Sequence, residues 1–523
     1  HEIKFGFGWR KADVDSTTIV PATGIMTYHD GYPNMIAEVT AWNYNTAATG
    51  KYTHAYVGDT ISMDRLTLTA GIRWDRQADS VNALTQAGNP AAGDLLPDLT
   101  GSPAQDVVVW NSIVPRVGLS YALDEQRKTL LRGSYGLFAS QLNATAGNFM
   151  STVALRGIYF YGVTDANGNR VVDPAEIAGR SCTDALVASG DCNYYGVNDI
   201  SNPGSVASPV HTVGDYSTPL THELQFGIDR ELMANFGISA TFTWRRFTNF
   251  NRRDNGLTGN DYEQLGTFEF SHPAIGSASV PYYGAIPSRI PANRSATTYR
   301  DREDYYQRYL GFEIAATKRL SDRWMARFGF STNDHREYFD SLAGLANGPS
   351  AAAPASPITT GIGDPTPSPN APQDDGGLVV RQTTGSGKSG IYQVLPKYQF
   401  IATGLYEAPW GIKLAANMLT RQGFSQQYFH SRVATGDPNG NLKNVLLADA
   451  GELRLPTVTS FDARIGKEFA LNRYRFHLDL DIFNLFNSST VLGRQYDLRL
   501  DTGNDVLEIM NPRVLRLGAR FSF

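Results

Sequence analysis

The feature that most constrains the fold of this chain is a period-two alternation of apolar and polar residues, sustained over long segments and repeated from end to end. Leu66, Leu68, Ala70, Ile72 and Trp74 share one face of an extended segment, with Arg65, Thr67, Thr69, Arg73 and Asp75 opposite. Phe236, Ile238, Ala240, Phe242 and Trp244 repeat the pattern. Tyr474, Phe476, Leu478, Leu480 and Ile482 stand against Arg475, His477, Asp479 and Asp481, and Leu515, Leu517, Ala519, Phe521 and Phe523 stand against Arg516, Gly518, Arg520 and Ser522. Such segments run for about nine residues or more, the length of a tilted membrane-crossing strand; soluble strands average about five or six. A soluble secreted β-rich domain would bury the apolar face and wet the polar one. An outer-membrane barrel turns the apolar face to lipid and the polar face to the lumen.

The connections separate these models. About fifteen strands are legible, near 1–11, 33–46, 51–62, 64–77, 108–122, 128–140, 217–231, 233–249, 305–319, 322–338, 394–408, 411–424, 456–469, 473–485 and 512–523. Short links at Met63-Asp64, 124–127, Ser321-Asp322, 408–411 and Leu471-Asn472 alternate with long ones near 78–107, 141–216, 250–304, 339–393 and 425–455. Short periplasmic turns and long extracellular loops produce that alternation; a sandwich has no reason to obey it. With Phe523 at the periplasmic rim, every short turn falls on that side. Facing Arg475, His477, Asp479 and Asp481 toward lipid would cost about 2.5–3.5 kcal/mol per ion at the midplane, so this row belongs in the lumen. The expectation is an all-β chain: a transmembrane antiparallel β-barrel with 1–523 as a partial barrel domain, surrounded by outer-membrane lipid in a Gram-negative bacterium. An odd count, where an even one is expected, and an opening inside a strand at His1 point to upstream strands before this sequence.

Composition closes other routes. The 46 Lys+Arg against 51 Asp+Glu leave a charge of -5, without the basic excess of a nucleic-acid binder. The 26 Phe, 26 Tyr and 7 Trp are too many for a disordered chain. No apolar run approaches the length of a membrane-spanning helix, and no signal-peptide pattern opens the chain. GxSxG and P-loop motifs do not occur, and Gly6 and Gly8 sit in a strand rather than a nucleotide-binding turn, so nothing supports an enzyme.

Several segments resemble a known family. The terminal strands, with 461–467 reading FDARIGK, 476–487 reading FHLDLDIFNLFN and 511–523 reading NPRVLRLGARFSF, are similar to those of TonB-dependent outer-membrane transporters. Segments 56–75, 115–121, 131–138 and 225–231 resemble the Oar-like branch of that family. The resemblance spans nearly the whole chain, through the order and spacing of motifs. It implies a barrel of about 22 strands around an N-terminal plug, a TonB box, often a carboxypeptidase-regulatory-like domain, and active uptake of a ligand too large for porins. TonB would engage an N-terminal part outside this sequence, and the extracellular ligand is not named by any motif. Some Oar-like members serve protein export or surface adhesion instead, which is the alternative function.

The sharpest local motif lies in the long loop 141–216. In 165–176, reading DANGNRVVDPAE, oxygen ligands fall at EF-hand spacing: Asp165, Asn167, Asn169, the Val171 carbonyl, Asp173 and Glu176. Calcium is the candidate ion, structural in role. Arg170 stands where that pattern expects Gly, and an Asx-rich hairpin around Asn167-Gly168 is the competing reading. The only cysteines, Cys182 and Cys192, lie in the same loop at a spacing that suits a local disulfide in an oxidising compartment. His222, His272, His335, His430 and His477 are scattered and read as solvated or lumen-lining. The loop 341–390, rich in Ala, Pro, Ser and Gly, is expected to be mobile, a gating flap or a passive cover. Tyr159, Phe160, Tyr161, Tyr194, Tyr195, Tyr282 and Tyr283 gather in outer loops, as ligand contacts or as rim aromatics.

Overall fold

A computed structural model describes residues 1–19, 24–29, 32–40, 43–92, 96–142, 147, 150–151, 153, 158–179, 192–195, 198–199, 202–206, 211–254, 261–290, 297–301, 305–339, 377–378, 381–382, 392–393, 396–424, 426, 428–434, 436, 442–447, 452–471 and 473–523. Long strands follow one another as β1 (Glu2–Ile19), β2 (Asn43–Met63), β3 (Leu66–Val81), β4 (Ala104–Ala122), β5 (Thr129–Ala139), β6 (Leu220–Met233), β7 (Phe236–Thr248), β8 (Tyr305–Ser321), β9 (Trp324–Phe339), β10 (Tyr398–Ala408), β11 (Ile412–Arg421), β12 (Val458–Leu471), β13 (Tyr474–Phe483) and β14 (Val514–Ser522). Each pairs antiparallel with the next, so the wall is an up-and-down meander whose edges are β1 and β14. Its spatial order is its chain order.

The links 64–65, 123–128, 234–235, 322–323, 409–411 and 472–473 are short, and the links 20–42, 82–103, 140–219, 249–304, 340–397, 422–457 and 484–513 are long. Short and long therefore alternate along the whole wall, with β14 ending on the short-turn side. Tight hairpins of twisted strands need left-handed residues, and the turns supply them. Asp322 and Arg323 both have positive φ, at 52° and 69°, and Asn235 has φ 64°.

Among the described residues, the sequence expectation of about fifteen wall strands is corrected to fourteen along the continuous path. A two-residue stub, Gly377–Leu378, pairs off it beside β9. The segment 33–46 is not a wall strand: Asn34–Thr40 joins Ile25–His29, Ile158–Thr164 and Cys192–Tyr195 in a separate four-stranded sheet, while Asn43 begins β2. Alternation marks a half-buried strand without saying which sheet buries it.

Register keeps one apolar phase continuous across the wall. Phe5, Val57, Ile72 and Pro115 are successive partners, as are Phe226, Phe242 and Phe312, and as are Leu414, Ile465, Leu480 and Leu517. Most of these side chains are exposed, Phe5 at 80% and Leu517 at 84% accessible, while Pro115 and Leu480 are half-buried. A polar opposite face and an apolar outward face of this extent suit a sheet whose solvent is lipid. On the inner face, ring stacking against the backbone explains two glycines. A Cβ on Gly6 would lie 2.6 Å from the Tyr56 ring, and one on Gly8 would lie 2.2 Å from the His54 ring.

Two packed cores lie in the long loops. Met35, Ala37, Val39, Leu96, Tyr159, Tyr161, Val163, Val172, Ile177 and Cys192 form one cluster under the four-stranded cap. A second cluster joins three long loops through Val280, Tyr428, Val433, Val445, Leu447 and Leu498.

Candidate functional site

The inner face of the wall gathers the charged side chains that the strand pattern placed in a lumen. On β2 and β3, the Tyr52 hydroxyl donates to Asp75 Oδ1 at 2.6 Å and Arg73 Nε donates to the same oxygen at 2.8 Å. The Arg10 guanidinium lies 5.5 Å from the Tyr52 ring centroid. Asp75 is buried, so these donors supply the compensation that a buried carboxylate requires. On β6 to β9, Arg245 binds Glu223 at 2.5 Å and lies over Tyr309, while His335 meets Gln307 Oε1 at 2.9 Å. On β12 to β14, Arg464 and Arg516 both bind Asp481, the latter at 2.7 Å, and Arg475 and His477 converge on Glu468 at 2.8 and 3.5 Å.

Long loops are tied to this face. Gln77 Nε2 donates to the Ser140 carbonyl at 3.0 Å, and the Leu142 amide returns a bond to Gln77 Oε1 at 2.8 Å. The Gly147 amide donates to Asp79 at 3.2 Å, and Trp110 Nε1 donates to the Tyr216 carbonyl at 2.9 Å. Trp110 is itself buried with Val108 and Leu142. The 140–219 connection therefore begins and ends folded against β3 and β4.

Below these clamps, a concavity of about 500 Å³ opens on the inner face of β1 to β6. Gly58, Gly71, Gly118 and Gly136 form its floor, and Arg73, Arg116 and Glu223 stand on its rim. Missing side chains make the trough; charges and the Tyr56 and Phe138 rings make it a surface for a polar chain or ligand.

The residues of 165–176 are held by local turn and capping bonds, and among the described residues no group of three or more His, Cys, Asp or Glu is placed to hold a metal ion. Asp165 accepts from the Gly168 amide at 2.7 Å and the Arg170 amide at 2.9 Å. The side-chain amides of Asn167 and Asn169 both donate to Asp173 Oδ2, at 2.6 and 2.8 Å. Glu176 accepts from the Ala166 amide at 2.9 Å and the Asp173 amide at 3.0 Å, capping the short helix Pro174–Ile177. Arg170 has φ 64°, and its guanidinium lies 5.3 Å from the Tyr32 ring centroid. The Val172 amide donates to Thr27 Oγ1 at 2.8 Å, docking the loop on the cap.

Cys192 is buried in the cap cluster, while Cys182 lies outside the described residues. So does most of the 341–390 loop. His335 and His477 line the inner face as expected, and in the long loops His272 stacks on Phe270 while His430 meets that ring edge-on. His222 departs from the expectation: it lies in the apolar phase, in register with Arg246, and its Nδ1 meets the Tyr135 hydroxyl at 2.9 Å. Tyr159 and Tyr161 are core residues of the cap rather than exposed ligand contacts. The inner networks of Tyr52 with Asp75 and Glu223 with Arg245 were missed; the signal was opposite charges in the polar phase of neighbouring strands.

Residues 1–331 match the family model described as an outer membrane beta barrel domain. Solved structures with similarity include the siderophore receptor PiuA from Acinetobacter baumannii, at 11% identity and a TM-score of 0.42, covering 99% of this chain and 53% of that one. The ferric citrate transporter FecA, at 10% identity and a TM-score of 0.43, is covered to 55% by 99% of this chain. The ferric-catecholate import receptor Fiu from E. coli K12, at 11% identity and a TM-score of 0.41, is covered to 54% by 99% of this chain. The chain thus spans about half the length of each of these structures. No curated protein sequence matches it. With most of its length matched by one family model, and with the meander, alternating links and apolar outward face that such a domain requires, this chain belongs to the outer membrane beta barrel domain family.

Proposed function

We propose that the chain is the wall of a TonB-dependent receptor of the Oar-like branch, importing an extracellular ligand, with the long loops outside the cell and the short turns in the periplasm. The observation that carries this reading is the inner face: a charged and aromatic trough, with the 140–219 loop hydrogen-bonded to Gln77 and Asp79 on the same face nearer the long-loop end. In this reading the tethered loop presents ligand to a gated interior. The trough receives a plug segment from outside this sequence, and TonB acts through that segment. The test compares depletion of growth-medium components, by mass spectrometry, in wild-type, receptor-deletion and TonB-deficient cells. The same component should be spared in both mutant strains. Depletion independent of TonB, with surface attachment lost on deletion, would leave the adhesion or export barrel instead.

The 165–176 loop binds a structural calcium ion in this proposal. It already holds Arg170 in the left-handed conformation that the sixth position of such a loop demands, at a cost of roughly 1–2 kcal/mol for a non-glycine residue. Binding would turn the Asn167 and Asn169 amides so that their oxygens join those of Asp165, Asp173 and Glu176. Calorimetry with calcium should give a dissociation constant of roughly 0.1–1 mM. Arg170→Gly should tighten binding up to about tenfold as the strain is relieved. Glu176→Gln should weaken it most. Absence of binding heat at several-fold higher calcium, with cap stability unchanged by chelator, would leave the Asx hairpin.

Cys182 and Cys192 pair in the same reading. Mass spectrometry without reductant should find them linked, and reduction should cost the cap about 2–3 kcal/mol. Two freely alkylated thiols in the native protein would reject the pairing.

A further inference from the structure

The apolar outward face has an exception at one height. Arg246 on β7, Arg308 on β8 and Arg336 on β9 are successive register partners, and His222 on β6 pairs with Arg246. All lie in the apolar phase: Arg246 follows Phe242 and Trp244 on its face, and Arg308 precedes Leu310 and Phe312. One step nearer the long-loop end, Tyr306 and Tyr338 stack with centroids 4.8 Å apart and 3° between their planes. The Arg246 guanidinium sits 4.2 Å from the Tyr306 centroid, and that of Arg308 sits 5.1 Å from the Tyr338 centroid. Asp334 takes Arg336 at 2.8 Å. Among the described residues, Arg246 and Arg308 have no carboxylate within salt-bridge distance.

Their height fits a membrane boundary. Arg246 is ten residues along β7 from Phe236, and Arg308 is ten residues along β8 from Lys318, the partner of Phe236. At about 3.4 Å per residue and a tilt of about 40°, ten residues rise about 26 Å, which matches the roughly 25 Å apolar band of such barrels. Lys318, over the Trp324 ring at 4.8 Å, marks the lower boundary, and the Tyr306–Tyr338 pair marks the upper one. At that height, guanidinium groups that meet rings and, among the described residues, no carboxylate are suited to lipid headgroups rather than to hydrocarbon.

We propose that Arg246 and Arg308, flanked by Arg336, bind the phosphate of a lipid headgroup in the leaflet at the long-loop end. Guanidinium forks match phosphate oxygens in pairs, and the stacked tyrosines hold both forks in place before binding. The alkyl chains of that lipid then lie along Trp244, Phe242 and Phe312 below. The proposal rests on the outward assignment of this face and not on what the protein transports.

The test uses the whole protein purified from membranes in a neutral detergent. The probes are a bisphosphorylated lipid A, the same glycolipid without its phosphates, and inorganic phosphate. The phosphorylated glycolipid should bind, and Arg246→Gln with Arg308→Gln should weaken it by at least about tenfold. Arg308→Lys should fall between, because it keeps the charge and loses the fork; it also serves as the test if the double variant fails to fold. Equal binding of the dephosphorylated form, or unchanged binding by the variants, would overturn the proposal. Displacement by inorganic phosphate at equal concentration would overturn the lipid as the source of the phosphate.

Discussion

Replacing Leu517 with Arg should destabilise the wall by about 2–4 kcal/mol, the cost of a cation on the lipid face near the bilayer midplane. Leu517 lies on β14 in line with Leu480, Ile465 and Leu414, and it is 84% accessible. It stands five residues from Ser522 at the short-turn end, so it rises about 13 Å at a 40° tilt, close to half of the apolar band. Its neighbour Arg516 points the other way, donating from Nε to Asp481 Oδ2 at 2.8 Å. Arg516→Leu should cost less, since Arg464 still binds Asp481. Equilibrium urea unfolding into lipid vesicles measures both. A larger loss for Arg516→Leu than for Leu517→Arg would invert the two faces.

Tyr159→Ala should have an effect of similar size in a different place. Tyr159 has no accessible surface and stacks on Tyr161 with centroids 6.3 Å apart, inside a cluster that holds Met35, Val39 and Leu96. Removing a buried aromatic ring costs about 3–5 kcal/mol. That cost should fall on the cap and leave the wall intact, because the wall strands share no residue with this cluster. Hydrogen exchange should lose protection at 34–40 and 158–164 and keep it in β12 to β14. Loss of protection throughout would show the cap to be continuous with the wall. Burial also pushes the Tyr159 phenol from 10.0 up to about 12. The folded cap holds that proton more tightly than the unfolded chain does. Its contribution is therefore fully present below pH 10 and is lost as pH rises toward 12.

The wall was legible because one physical rule acts at every position. In a sheet with lipid on one side, each residue's parity decides its solvent, and β13 shows it with Phe476, Leu478 and Leu480 outward and His477, Asp479 and Asp481 inward. The lumen row expected at 475–481 appears as the Glu468 and Asp481 networks. Parity does not say which sheet a strand joins, and for that reason Asn34–Thr40 read as wall. Its partner Ile158–Thr164 lies more than a hundred residues away and announces itself only by the same alternation. The trough was illegible for a related cause: Gly58, Gly71, Gly118 and Gly136 become one floor only through the register of four strands. The 165–176 turns needed no long-range information, and Arg170, standing where the motif expects Gly, has a positive φ. Arg246, Arg308 and Arg336 did leave a local signal, an arginine in the apolar phase near the long-loop end of three successive strands.

The central claim is that the apolar phase of this wall faces lipid and the polar phase faces the interior. Single spin labels placed one at a time from Arg475→Cys to Ile482→Cys on β13, in the membrane-reconstituted protein, test it most directly. Collision with oxygen, which concentrates in lipid, should peak at 476, 478, 480 and 482. Collision with a water-soluble nickel chelate should peak at 475, 477, 479 and 481. The opposite phase, or equal nickel access at all eight positions, would contradict the assignment.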